Sequence, residues 1–360
     1  MTIAKKELEE IGKKVLKDLE KGENPYLDIP IRSLSNVEYD ETTGMLRLKE
    51  EKSGKRFLFH TGHAKKFMQT MLVSAFCKEL IDQDLHTSLR DLYYALKTTL
   101  PDSTENTFNE QSESDPIIVD LEVALKILRE QLHLSADIRG RVVGNVTIRD
   151  RGDLINWAKL GSGGWAVPSN VEDIEFRKVD ADFILIVEKN AAFERLNEDK
   201  FWQKHNCIIL TTQGQAARGA RRLIQRLSTE KKLPVYVFTD ADSYGWYIYF
   251  VIKYGSISLA YVSERLGTPR AKFLGLTISD IEKFGLQNYT IKAEEVDIKR
   301  AQEMLNYDWI KKSPAWQEEL KLMVKKKIKA ELEALSGRGL KFMTEEYLPQ
   351  KLKDEKNLLD

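Results

Sequence analysis

Between Phe183 and Tyr261 the chain alternates short apolar runs with helical segments, and few folds accept that pattern. FILIV (Phe183–Val187), CIIL (Cys207–Leu210), VYVF (Val235–Phe238) and the stretch Ile257–Tyr261 are predicted as strands. Helices are predicted between them, around Ala191–Glu198, Ala217–Leu227 and Gly245–Lys253. Runs that do not alternate with polar residues belong to strands covered on both faces, as in a parallel sheet with right-handed helical crossovers. Ligands of such sheets bind beyond the C-terminal ends of the strands. At that edge the first run ends in Glu188 and the third in Asp240 and Asp242, with Gly245 just beyond. Alternate strand residues project to one side, so the two aspartates can converge. Hard oxygen donors of this kind suit Mg²⁺, held together with waters and substrate phosphates. Aspartates also cap helices, and a lone DxD fits that reading as well. Three carboxylates at one edge are costly unless a cation neutralises them, which favours the metal.

A chain of 360 residues predicts two domains, or two with an extension. No apolar run approaches a membrane span, and the first residues, MTIAKKELEE, lack a secretory apolar region. Cys77 and Cys207 lie far apart without metal spacing, which fits a reducing intracellular setting. Lys and Arg together number 56, as do Asp and Glu, so only a local basic patch could mark a nucleic-acid surface.

Residues 1–22 read as an amphipathic helix with Leu8, Ile11, Val15 and Leu19 in phase. Strands follow near Val37–Tyr39 and Met45–Leu48, then a helix over Ala64–Leu80. His60 and His63 could be half of a metal site, but no second pair accompanies them, so structural histidines are expected. In HTSLRDLYYALK (His86–Lys97), Thr87 or Ser88 can cap a helix whose stripe is Leu89, Leu92, Tyr93 and Leu96. Tyr93 then faces the core, and Tyr94 lies roughly 100° around the helix. Arg90 shares the face of Tyr94. A guanidinium there could hold a phosphate beside the phenol, although an exposed Tyr–Arg neighbour pair is commonly just surface.

Residues 98–114 read as a loop, and Asp115-Pro116 as the start of a helix through Leu128. A helical turn near Ser135–Arg139 and a hairpin in RGRVVGNVTIRDRGD come next. Helices followed by a basic hairpin fit a winged helix, with Arg139, Arg141, Arg149 and Arg151 available to DNA phosphates. A merely solvated hairpin is an equal reading. Leu160–Asn170 is a linker candidate, residues 280–335 read as charged helices, and the tail KLKDEKNLLD reads as frayed. The Lys-rich stretch Lys321–Lys329 fits a solvated helix face better than a DNA site.

A Glu ending one strand and a DxD ending a later one form the Toprim arrangement. With SLRDLYY upstream, the chain resembles the A subunit of the type IIB DNA topoisomerases (topoisomerase VI), relatives of the transesterase that makes meiotic double-strand breaks. IPIRSLSNVEYDE, HAKKFMQTMLVSAF, NEQSESDPIIVDLE, ADFILIVEKNAAFERL, TDADSYGWYIYFVIKYGSISLAY and GTPRAKFLGLT look like family segments in family order, so the resemblance covers nearly the whole chain. It implies an α/β multidomain fold: a winged-helix (CAP-like) DNA-binding domain over 69–160, then a Toprim α/β domain with a mainly parallel sheet over 161–360. An N-terminal extension over 1–68 would contact a second type of subunit. Tyr94 matches the nucleophile, the second tyrosine of the family pattern R-D-x-[YF]-Y, and Arg90 its neighbouring arginine. Glu188, Asp240 and Asp242 match the Mg²⁺-binding acids. The resemblance further implies double-stranded DNA as substrate, a homodimer of A subunits sharing tyrosine and metal site in trans, and an ATPase B subunit that completes an A2B2 heterotetramer. A cytoplasmic, nucleoid-associated enzyme without membrane contact is expected. The family commonly has Pro after the second aspartate, where this chain has Ser243, which bears on the stiffness of the turn rather than on the ligands.

The reaction so implied is attack of the Tyr94 oxygen on a DNA phosphodiester, giving a reversible 5′-phosphotyrosyl double-strand break through which a second duplex passes. A free phenol ionises near pH ~10, so Arg90, the metal or a general base must assist. A one-way break-former without strand passage is the enzymatic alternative. A non-enzymatic winged-helix DNA binder with a degenerate Toprim fold is the alternative of another class, and the retained Tyr94 and three acids speak against it. A primase-like or nuclease Toprim protein would leave SLRDLYY unexplained. No Walker-type phosphate loop is found, so ATP-driven relaxation is expected to need a partner.

Overall fold

A computed structural model describes residues 2–49 and 52–360. The chain divides into two compact units, Met1–Glu38 with Leu48–Asp137, and Tyr39–Arg47 with Ile138–Asp360. The main division of the chain falls at 137/138, whereas the sequence places a boundary at 160/161. Among the described residues no helix is long and apolar enough to cross a membrane.

In the first unit the helix Ile3–Glu20 starts at Thr2, whose hydroxyl accepts the Lys5 N–H at 3.3 Å. Leu8 and Val15 are buried as their spacing requires, while Leu19 stays exposed. Helices Ala64–Gln83, Leu89–Leu96 and Gln111–Leu125 enclose a core that includes Val73, Cys77, Leu92, Tyr93, Ile117 and Leu121. The last of these helices begins four residues before the predicted Asp115-Pro116 start, so Pro116 lies inside it. Proline cannot donate to the preceding turn. The carbonyl it cannot serve is that of Ser112, and separately the Ser114 hydroxyl donates to the Gln111 carbonyl at 2.9 Å. The helical turn expected at Ser135–Arg139 lies earlier, at Arg129–Leu132, and Leu134–Ser135 pairs instead with Thr87–Ser88 in a short parallel ladder. His60 and His63 stack with ring centroids 4.1 Å apart, and among the described residues no group of three His, Cys, Asp or Glu that could hold a metal includes them.

The second unit is built on a six-stranded sheet in the order Trp165–Ala166, Arg141–Val143, Cys207–Thr211, Phe183–Val187, Val235–Phe238, Lys272–Gly275. The last four strands run parallel, and the two at the other edge are antiparallel additions. Two strand readings are corrected. Ile257–Val262 forms a 3₁₀ helix, and the fourth parallel strand is Lys272–Gly275, whose apolar run is too short to stand out. The expected hairpin is split between two sheets. Arg141–Val143 pairs with Cys207–Thr211, while Val146–Asp150 pairs with Asp153–Asn156 and Glu175–Val179 in a separate three-stranded sheet. The crossover is at Gly144, where a side chain would meet the Cys207 carbonyl and the Ile208 Cα at 3.2 Å. The true hairpin turns on Arg151 and Gly152, both at positive φ, as a two-residue turn of right-handed twist demands.

Trp246, Tyr249, Phe250, Phe273 and Trp316 form an aromatic cluster in this unit, with ring centroids 4.7–5.7 Å from Trp316. Trp316 is fully buried. Trp316→Ala is expected to cost about 3–5 kcal/mol and to lower the melting temperature by about 10 °C, read by calorimetry. An unchanged melting temperature would mean that the cluster does not hold the unit together.

The tail is not frayed. The Phe273 N–H donates to the Leu359 carbonyl at 2.8 Å, and Asp360 pairs with Lys253.

Candidate active site

The tyrosine helix Leu89–Leu96 is opened by Ser88, whose hydroxyl accepts the Asp91 N–H at 3.0 Å and donates to the Asp91 carboxylate at 2.8 Å. Its phase separates the two tyrosines as the sequence predicts. Tyr93 is 6% exposed and its hydroxyl donates to the Asn109 carbonyl at 2.9 Å, whereas Tyr94 is 59% exposed. The Arg90 guanidinium lies 5.8 Å from the Tyr94 ring centroid. Lys97, which the sequence does not single out, donates to the Tyr93 hydroxyl at 3.0 Å, and this bond raises the pKa of its ammonium. The first unit therefore presents an exposed phenol with two cations close by.

In the second unit Glu188 follows the strand Phe183–Val187, and Asp240 and Asp242 follow Val235–Phe238, its direct neighbour in the sheet. The Asp240 N–H donates to the Glu188 carboxylate at 3.3 Å, so the two acids meet across adjacent strand ends. Burial, then the nearby Asp240, pushes Glu188 up to about 7. Burial also pushes Asp240 up to about 6, against the pull of the Leu332 N–H and Lys189. Asp242 is raised by burial as well, although its carboxylate accepts the Gly245 N–H at 2.7 Å. Asp242 is thus the N-cap of the helix Ser243–Tyr254, so the capping alternative holds for one aspartate of the pair. Gly245 is required beside it, because a Cβ there would come within 2.6 Å of the Asp240 carbonyl. Ser243 is the first residue of that helix, a position that suits proline because its N–H has no intrahelical partner. The helix forms and Asp242 caps it with serine in that place.

Several groups at this edge were not legible in the sequence. Lys189 places its ammonium 3.0 Å from Asp240, 3.1 Å from Glu331 and 2.9 Å from Glu333. Burial alone would lower its pKa, but the carboxylates of Glu333, Asp240 and Glu331 hold it above the ordinary lysine range. Glu331 and Glu333 arrive on a strap clipped to the aspartate loop. Ala241 and Ala330 exchange backbone hydrogen bonds of 2.8 and 3.2 Å, and the Leu332 N–H donates to Asp240 at 2.8 Å. Asp297, paired with Lys329 at 2.7 Å, adds a further negative field at Asp242. Nothing local to Glu188 or the DxD points to residues so far along the chain.

The donor set suits a hard divalent ion: buried carboxylate oxygens, raised in pKa chiefly by burial, on adjacent strand ends. Among the described residues no three His, Cys, Asp or Glu side chains are already gathered as a metal cage, and Asp240 is engaged by Lys189.

The four arginines assigned to DNA all fall in the second unit. Arg139 and Arg151 are exposed. Arg141 is tied to Glu194 at 2.9 Å and to Asn190, with its guanidinium over the Phe193 ring. Arg149 has its Nε buried without a hydrogen-bond partner.

Comparison with known proteins matches three family models along the chain. They are the type IIB DNA topoisomerase model over 65–134, the all-beta domain of the DNA topoisomerase VI alpha subunit over 139–180, and the Toprim domain of the topoisomerase 6 A subunit and Spo11 over 183–352. Toprim domains are typically divalent-metal sites, and the helical first unit is consistent with a winged-helix, CAP-like fold. The A subunit of type 2 DNA topoisomerase 6 from Pyrococcus horikoshii is 47% identical over 98% of this chain and 94% of its own length. That of Pyrococcus abyssi is 47% identical with the same coverage. That of Hyperthermus butylicus is 44% identical over 94% of this chain and 92% of its own length. At 47% identity over 98% of this chain and 94% of the relative, and with family models matching along its length, the chain belongs to the family of topoisomerase VI A subunits.

Proposed function

We propose that this chain is the DNA-cleaving subunit of an ATP-dependent type IIB topoisomerase, with Tyr94 as nucleophile and Arg90 beside it. The observation that carries the reading is the separation of the two tyrosines: one buried and bonded, the other exposed beside a guanidinium. The Tyr94 oxygen attacks a backbone phosphorus. A phosphotyrosyl bond forms at the 5′ end, the bond to the sugar 3′ oxygen breaks, and that oxygen leaves with a proton. One diester replaces another, so the break can be resealed. Glu188, Asp240 and Asp242 would hold Mg²⁺, which when bound supplies charge stabilisation at the phosphate and the departing oxygen. Arg139 and Arg151, both exposed, would meet DNA phosphates, and Arg149 lies on the strand that leads into Arg151. Arg141 reaches DNA only if its bonds to Glu194 and Asn190 open.

Two copies of this chain would cut the two strands, each tyrosine working with its partner's metal site. The segment up to residue 68 would contact the ATPase B subunit in an A2B2 assembly acting on the nucleoid in the cytoplasm. The test is SDS trapping of a labelled duplex with Mg²⁺, ATP and a B partner of proven ATPase activity. A covalent 5′ adduct is expected. Its absence would favour the non-enzymatic DNA binder, and an adduct that never reseals would favour the one-way break-former.

The raised acids also predict a pH dependence. Carboxyls that hold protons more tightly when folded contribute stability at low pH and lose it as pH rises from the ordinary carboxylate range through about 7. A bound cation opposes that loss. Mg²⁺ is therefore expected to raise the melting temperature more above pH ~8 than below pH ~5.5. Equal shifts at both would mean that the ion binds elsewhere.

A further inference from the structure

We propose that Lys189 is a built-in counter-ion of the metal site, seated on Asp240 when no divalent cation is present and handed to Glu331 and Glu333 when one takes Asp240. The inference rests on the reading that Glu188, Asp240 and Asp242 hold the ion.

The geometry is that of a shared seat. One ammonium lies within 2.9–3.1 Å of three carboxylates, so it can give up one partner and keep two. The three partners are not equivalent. The Asp240 side chain is 8% exposed, while those of Glu331 and Glu333 are 56% and 50% exposed. The seat therefore has a buried end at the candidate metal position and an open end towards solvent. Lys189 itself is about a quarter exposed and sits on a flexible four-carbon stem, so a small swing suffices. A divalent ion and an ammonium on one carboxylate repel each other, which supplies the drive. The open end does not drift away from the buried one, because the strap that carries Glu331 and Glu333 is clipped to the aspartate loop at Ala241–Ala330 and at Leu332–Asp240.

The test measures binding of Mn²⁺ alone to the full chain, with free Mn²⁺ read by electron paramagnetic resonance. Lys189→Met, which keeps the apolar stem, is expected to bind Mn²⁺ about 10-fold tighter, because no resident cation has to move. Lys189→Arg keeps the charge and is expected to show no tightening. Glu331→Gln with Glu333→Gln is expected to weaken binding about 5-fold, since Lys189 then has no second seat. That weakening should vanish in the Lys189→Met background, which separates a role through Lys189 from a general loss of negative charge. Unchanged or weaker binding in Lys189→Met overturns the proposal, as does a Glu331/Glu333 effect that persists without Lys189. Wild-type-like binding in Asp240→Asn with Asp242→Asn would instead overturn the metal-site reading beneath it.

Discussion

Tyr94→Phe is expected to leave a folded protein that forms no covalent DNA adduct, with cleavage reduced at least about 10³-fold. The substitution removes one oxygen. The ring, its helix face and the neighbouring Arg90 guanidinium remain, and because Tyr94 is exposed, stability should change by less than about 0.5 kcal/mol. Tyr93→Phe is the matched control. It removes the donor to the Asn109 carbonyl and the acceptor for Lys97, which costs about 1 kcal/mol of stability and leaves the adduct in place. The two variants thus exchange phenotypes: one loses chemistry and keeps stability, the other the reverse. SDS trapping and thermal unfolding on the same preparations read both. An adduct that survives Tyr94→Phe and disappears in Tyr93→Phe would move the nucleophile to the buried tyrosine.

Asp240→Asn is expected to reduce Mg²⁺-dependent cleavage by about 10²–10⁴-fold without destabilising the metal-free protein. Asparagine keeps the size and can still accept the Leu332 N–H. It also removes a buried charge from beside Glu188, and burial already works against that charge. The Lys189 ammonium loses one partner and keeps Glu331 and Glu333. The melting temperature without metal should therefore hold or rise while activity falls. A large drop in melting temperature together with the lost activity would instead mark Asp240 as a structural residue of the loop.

How much of this was legible in the sequence depended on the range of the signal. The parallel strands at Phe183, Cys207 and Val235 are continuous apolar runs, and the tyrosine helix has a clean stripe, so their positions and the facing of Tyr94 follow from local periodicity. The fourth strand is read at Ile257–Tyr261 and found at Lys272–Gly275 because both stretches are short and apolar, and only pairing with Val235–Phe238 tells them apart. The split of the Arg141–Asp150 stretch between two sheets is hidden for the same reason: Gly144 reads locally as a hairpin turn, yet it is a crossing point packed on Ile208. At the site, the acids announce themselves as strand-end carboxylates. Lys189 is visible beside Glu188 without a partner to give it meaning, since Glu331 and Glu333 come to it only through a strap closed by backbone bonds to Ala241.

The bond from Phe273 to Leu359 has a consequence for how these molecules behave in a crowded solution. Lys272–Gly275 is the outermost parallel strand, and an uncovered outer strand offers a row of backbone donors and acceptors to any extended peptide nearby. The chain places its own last residues against that row, held by the Phe273–Leu359 bond and by the ion pair of Asp360 with Lys253. Leu359 and Asp360 therefore cover part of that edge, and this is expected to disfavour strand pairing between copies. Displacing it would bare those backbone groups at this edge without touching the chemistry at the strand ends.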